Sequence, residues 1–143
     1  MRNITRALAA TACAAVIGLG TAIPADAATI ASVGPATLMA KGVTVSVPVT
    51  GTCDIGGYYS VSVTLTQKTS GKTIVQGFGS DSKPCDQETF SATLFVQQHH
   101  SYDYSTTMAF KKGTATAAVN LASYDADYSY YSNTSTTTEI RIG

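Results

Sequence analysis

GVTVSVPVTG, Gly42 to Gly51, and YYSVSVTLTQ, Tyr58 to Gln67, alternate apolar and hydroxyl-bearing residues with a period of two. Successive strand side chains point to opposite faces, so Val43, Val45, Val47 and Val49 share one side of the first segment. Thr44, Ser46, Pro48 and Thr50 take the other. In the second segment Tyr59, Val61, Val63 and Leu65 face inward and a row of Ser and Thr faces outward. Both read as half-buried strands. Pro48 has no N–H to give to a ladder, which predicts an edge or a bulge at that point.

The same period recurs along the chain. KTSGKT, Lys68 to Thr73, has the composition of a hairpin turn, and TIVQGFG, Thr73 to Gly79, is the expected return strand. FSATLFV places Phe90, Ala92, Leu94 and Val96 on one face, and TATAAVNLASY does so with Ala115, Ala117, Val119 and Leu121. TTTEIRI, Thr136 to Ile142, turns Ile140 and Ile142 inward, and a weaker strand is expected near Thr29 to Leu38. About seven short strands with turn signals between them predict an all-β protein, an antiparallel immunoglobulin-like sandwich. A small closed barrel is the structural alternative. The chain has no tryptophan for an antibody-type core.

The first 27 residues read differently. Arg2 and Arg6 precede the apolar stretch Ala7 to Leu19, and Ala25-Asp26-Ala27 supplies an A-x-A cleavage site. This pattern predicts a signal peptide over 1–27, and one domain over 28–143 in a secreted, extracellular protein. The apolar stretch is too short for a membrane span, which needs about 20 apolar residues. Of nine basic and nine acidic residues, seven and eight remain after removal of Arg2, Arg6 and Asp26. So balanced a charge implies no nucleic-acid face. Charged residues are only 13% of the chain, so its polarity comes mainly from hydroxyl groups. Cys53 and Cys85 survive processing and are expected to form one disulfide, since neither has a second cysteine close enough for a metal site.

The run GVTVSVPVTGTCDIGGYYSVSVTLTQ, followed by GFGS, PCDQETFSATL and FKKGTATAAVNL, resembles a group of small exported proteins of actinobacteria that carry a domain of unknown function. The likeness spans most of Val43 to Leu121. It implies bacterial export and an immunoglobulin-like sandwich, and brings no activity with it.

QQHHSYDYS, Gln97 to Ser105, is the stretch most suggestive of chemistry, holding both histidines of the chain. If the strand from Phe90 persists, His99 points outward and His100 inward, so the two do not share an ion. If it ends near Gln98, either histidine can join Asp103, but no third ligand has a compelling spacing. A small hydrolase or metal-dependent enzyme around His99, His100 and Asp103 is the alternative reading. No G-x-S-x-G or H-E-x-x-H motif supports it. Asp125-Ala126-Asp127 begins like a calcium loop, yet Tyr130 stands where the loop's glycine belongs. No catalytic residue, metal or cofactor is therefore assigned.

Tyrosine is the unusual residue. All eight follow the leader, four of them in SYDADYSYYSN. Exposed tyrosine among Ser, Asn and Asp suits recognition, because the ring gives contact area at small entropic cost while the hydroxyl gives hydrogen bonds. The expected function is a non-enzymatic binding module whose Tyr-bearing loops meet an extracellular protein or glycan. Its candidate residues are His99, Tyr102, Tyr104, Tyr128, Tyr130 and Tyr131, and ordinary cross-strand pairing is the competing role for each ring.

Overall fold

A computed structural model describes residues 28–70, 73–99, 109–128 and 131–143. The expected leader over 1–27 and the candidate residues His100, Tyr102, Asp103, Tyr104 and Tyr130 lie outside the described residues, as does the side chain of Tyr131. Eight strands are present: β1 Thr29–Val33, β2 Thr37–Met39, β3 Thr44–Thr52, β4 Tyr58–Ser70, β5 Thr73–Pro84, β6 Thr89–Gln98, β7 Gly113–Tyr124 and β8 Tyr131–Ile142. A single 3-10 turn at Ala40–Gly42 is the one helical element among the described residues. The protein is all-β.

The strands join in the order β1-β3-β6-β5-β4-β7-β8, with β2 also on β3, and the strand pairings are antiparallel. Between β1 and β2 the chain crosses to the far edge. Ala36 bridges Ile142 in parallel, and Leu38 N–H donates to the Gly143 carbonyl at 3.1 Å. Because β2 itself lies on β3, this crossing ties the last strand back toward the first. The sheet is thereby nearly barrel-shaped, close to the alternative that the sequence left open. The seam between β5 and β6 is short, limited to Gly77↔Gln98 and Phe78↔Gln97, after which the two strands part.

Alternation sets the core. Val45, Val47, Val49, Val61, Val63 and Leu65 are all fully buried, and β6 and β7 contribute their expected faces. Val43 departs from the pattern and is 53% exposed. It follows Gly42 at φ +89° and itself has helical φ/ψ, so the strand's two-residue phase begins only after it.

Pro48 is not on an edge strand, since β3 lies between β6 and the β1/β2 pair. It occupies a gap in the outer ladder instead. β1 pairs with β3 as far as Val49, β2 begins at Ser46, and the Pro48 carbonyl accepts from Gly34 N–H at 2.9 Å. The N and C=O of a strand residue point the same way, so the missing N–H faces the place where one partner gives way to the next.

Cys53 and Cys85 form the expected disulfide, with Cα atoms 6.1 Å apart. Closing a loop of 32 residues stabilises the fold by about 3–4 kcal/mol in the chain-entropy account. It pins the turn after β3 to the end of β5. Among the described residues no helix is long and apolar enough to cross a membrane.

Candidate functional site: a tyrosine cluster at the disulfide end

The β4–β7 register brings Tyr58 opposite Tyr124, and the β7–β8 register brings Tyr124 opposite Tyr131. Tyrosine thus occupies one position on each of three adjacent strands. The even-numbered residues of β4 and β7, apart from the buried Ala122, are exposed or half-buried, and this phase turns Tyr58 and Tyr124 away from the core while their neighbours Tyr59 and Ser123 turn into it. Beyond Tyr124 the chain makes a turn in which Tyr128 N–H donates to the Asp125 carbonyl at 3.2 Å. This turn carries the Tyr128 ring back over the strand ends.

Tyr128 stacks on Tyr58, with ring centroids 5.4 Å apart and planes 10° from parallel. Tyr124 leans against Tyr128 at 6.0 Å and 52°. The cluster is not buried, for Tyr128 is 63% and Tyr58 38% exposed. Tyr128 also has φ +59°, a left-handed conformation that costs a bulky residue about 1 kcal/mol. An exposed ring is therefore held at a conformational cost, stacked on Tyr58.

The floor of the cluster is built by the turn Asp54–Gly57. Gly57 N–H donates to the Asp54 carbonyl at 3.1 Å, and Gly56 provides the positive φ of +85°. Gly57 lies against the Tyr124 carbonyl, where a Cβ would collide. Asp54 accepts a hydrogen bond from the buried Ser123 hydroxyl at 3.2 Å. The disulfide and the Gly56 N–H bond to the Cys85 carbonyl hold this turn to the end of β5.

His99 is elsewhere. β6 ends at Gln98, and His99, exposed, donates its backbone N–H to the Gln76 carbonyl at 2.9 Å. Gln76 pairs with Thr66, eight residues along β4 from Tyr58. At about 3.3 Å per residue, some two dozen ångströms separate His99 from the tyrosines. Of the six candidate residues, Tyr128 is in the cluster, Tyr131 is in register beside it, His99 is at the opposite end, and Tyr102, Tyr104 and Tyr130 lie outside the described residues. Among the described residues, no three His, Cys, Asp or Glu side chains gather as a metal set.

Tyr58 and Tyr124 are the residues that the sequence reading left out of its candidate set. Their signal was the strand phase: Tyr58 is out of step with the buried Tyr59, and Tyr124 is out of step with Leu121. What the phase does not give is that β4 and β7 are neighbours.

A cleft of about 260 Å³ opens where β5 and β6 part, lined by Tyr59, Lys83, Gln87, Phe90 and the disulfide. Lys83 pairs with Asp81 at 2.8 Å, and its ammonium is held above the ordinary range by that hydrogen bond and by the carboxylate's charge. Tyr59 stacks on Phe90 at 4.4 Å, and burial pushes its phenol above the usual value. Comparison with protein-family models, with curated proteins and with solved structures finds no match for this chain.

Proposed function

We propose that this chain is a secreted, non-enzymatic binding module of immunoglobulin-like sandwich architecture, related to the small exported actinobacterial proteins it resembles. Its recognition surface is the tyrosine cluster of Tyr58, Tyr124 and Tyr128. The observation that carries this reading is Tyr128: 63% exposed, stacked on Tyr58, and kept in a left-handed backbone conformation. Strained residues persist where the surroundings over-determine them, and they concentrate at sites of recognition. The disulfide accords with an oxidising compartment, and Arg2 to Ala27 with export.

The sandwich reading draws on the two runs β1-β3-β6 and β5-β4-β7-β8, joined by only two residue pairs at the β5–β6 seam. Two packed sheets sharing a narrow corner and a nearly closed barrel are adjacent descriptions of such a sheet.

The protein is to be expressed with its leader and recovered from the medium, where its N-terminus is expected at Ala28. It is then sedimented with bacterial cell envelopes and with insoluble polysaccharides. Retention on one of these is expected, together with its loss in a Tyr58→Ala, Tyr128→Ala double variant and its persistence in His99→Ala. Retention unchanged in the double variant overturns the assignment of the surface.

A further inference from the structure

We propose that the ligand of this surface is a neutral polysaccharide, bound on the outer face of β4, β7 and β8 with one sugar ring against Tyr128. The inference rests on the reading of the tyrosine cluster as a recognition surface and adds the chemistry of what is recognised.

The register defines that outer face row by row. Next to the tyrosines, Ser82, Ser60, Ala122 and Asn133 stand in line across β5, β4, β7 and β8. The following row is Ser80, Ser62, Asn120 and Ser135, and the one after it Phe78, Thr64, Ala118 and Thr137. None of these positions carries a charge. Charge enters this face only toward the far end, at Glu139, Lys68 and Arg141. In a chain with nine acidic and nine basic residues, three successive rows without one leave a continuous surface of hydroxyls, amides and methyl groups, with the exposed Phe78 ring at its β5 edge.

Such a surface has little to offer an ion. A charged polymer would lose hydration there without gaining a counter-charge. A neutral polysaccharide does not meet that obstacle. Its hydroxyls match Ser, Asn and Thr as donors and acceptors, and the C–H face of a flat pyranose ring lies on the electron-rich face of a tyrosine.

The shape is consistent with the chemistry. Ser, Ala and Asn project little from the sheet, so the rows beside the cluster form a low shelf. Tyr58 and Tyr128 cover one face of each other and Tyr128 stays 63% exposed, so an aromatic ring borders the shelf at the tyrosine row. Extended chains that lie across a sheet and stop at an aromatic wall bury their apolar ring faces without any enclosed pocket.

The test uses the secreted protein with microcrystalline cellulose, chitin and insoluble xylan as neutral probes and cross-linked polygalacturonate as the anionic one. Retention is expected on at least one neutral polymer and not on polygalacturonate. With no ion pair at the contact, affinity is expected to change less than about twofold between roughly 0.05 and 0.5 M NaCl. Tyr128→Ala is expected to weaken retention roughly tenfold, the loss of a stacking contact. Ser135→Arg, an exposed change on the shelf that leaves the tyrosines intact, is expected to weaken it to a similar extent, while Ile74→Ser leaves it unchanged. A single cooperative thermal unfolding transition in each variant shows that it has folded.

Retention only on polygalacturonate, or retention that disappears with salt, overturns the inference. If cell envelopes are held in a tyrosine-dependent way but no neutral polysaccharide is, this inference fails and the recognition surface stands. If a neutral polysaccharide is held equally by the wild type and by Tyr128→Ala, both fail.

Discussion

The rings of Tyr58 and Tyr128 lie 5.4 Å apart and nearly parallel, although β5, β6 and β7 separate the two residues in sequence. The contact depends on the β4–β7 register and on a turn in which Tyr128 takes a left-handed conformation. Two opposed contributions follow, a favourable stack of about 0.5–1.5 kcal/mol and a backbone cost of about 1 kcal/mol. Tyr128→Ala loses the first and keeps the second, whereas Tyr128→Gly loses both. The glycine variant is expected to be the more stable of the two by about 1 kcal/mol in urea denaturation, despite the usual penalty for glycine. A less stable glycine variant shows that the turn is not strained.

Gln67 continues the inward phase of β4 beyond Leu65 and is only 3% exposed. Its amide is satisfied by the backbone of one residue: Nε2 donates to the Lys111 carbonyl at 2.7 Å, and Lys111 N–H donates to Oε1 at 2.8 Å. Nε2 also reaches the Thr114 carbonyl at 3.4 Å. Gln67 thereby fastens the segment before β7 to the end of β4. Gln67→Leu has nearly the same volume but leaves Lys111 without its partner, so a loss of about 2 kcal/mol is expected in the same denaturation measurement. A loss below about 0.5 kcal/mol shows that water replaces the amide at no cost.

Local pattern specified most of the individual strands and little of their arrangement. The buried faces of β3, β4, β6 and β7 follow from alternation, because a half-buried strand writes its environment into every second residue. Pro48 suggested an edge or a bulge, and only the pairing of β1 and β2 on β3 showed a gap in the ladder of an interior strand instead. The tyrosine cluster was legible in composition, through SYDADYSYYSN, but not in membership. Tyr58 and Tyr124 meet through a pairing between strands more than fifty residues apart, which no local period records. Gln67 went unnoticed because a buried glutamine looks polar in sequence until its backbone partner is known.

Tyr59 is 4% exposed and stacked on Phe90, and burial is the main reason that its phenol ionises above the ordinary value of 10.0. Lys83 nearby lowers it and Asp81 raises it, both by smaller amounts. A phenol that ionises later in the folded chain than in the unfolded one contributes its stability below the ordinary value and loses it as pH rises through the raised one. Stability is therefore expected to hold up to about pH 10 and to decline above it. Lys83, also raised, acts in the same region with the same sign. In a Lys83→Met background, Tyr59→Phe is expected to flatten the alkaline decline of the melting temperature. An identical decline in both proteins assigns the effect to other groups.

Gly56 and Gly57 are adjacent, yet they are expected to respond differently to the same substitution. Gly56 has φ +85° with nothing within 4 Å of an added Cβ, so Gly56→Ala costs only backbone strain, about 1 kcal/mol. Gly57 does not need a positive φ, but its Cβ would run into the Tyr124 carbonyl and approach Asp125. Relief requires the turn to move away from the end of β7, against the disulfide and the Cys85 N–H bond to the Gly57 carbonyl. Gly57→Ala is expected to cost about 3 kcal/mol, at the upper end for an overpacked site. It is also expected to weaken the tyrosine band in near-ultraviolet circular dichroism, because Tyr58 follows directly in β4 and Tyr124 forms the other side of the contact. Gly56→Ala is expected to leave that band intact. Equal effects of the two variants on stability and on the band show that the turn does not support the cluster.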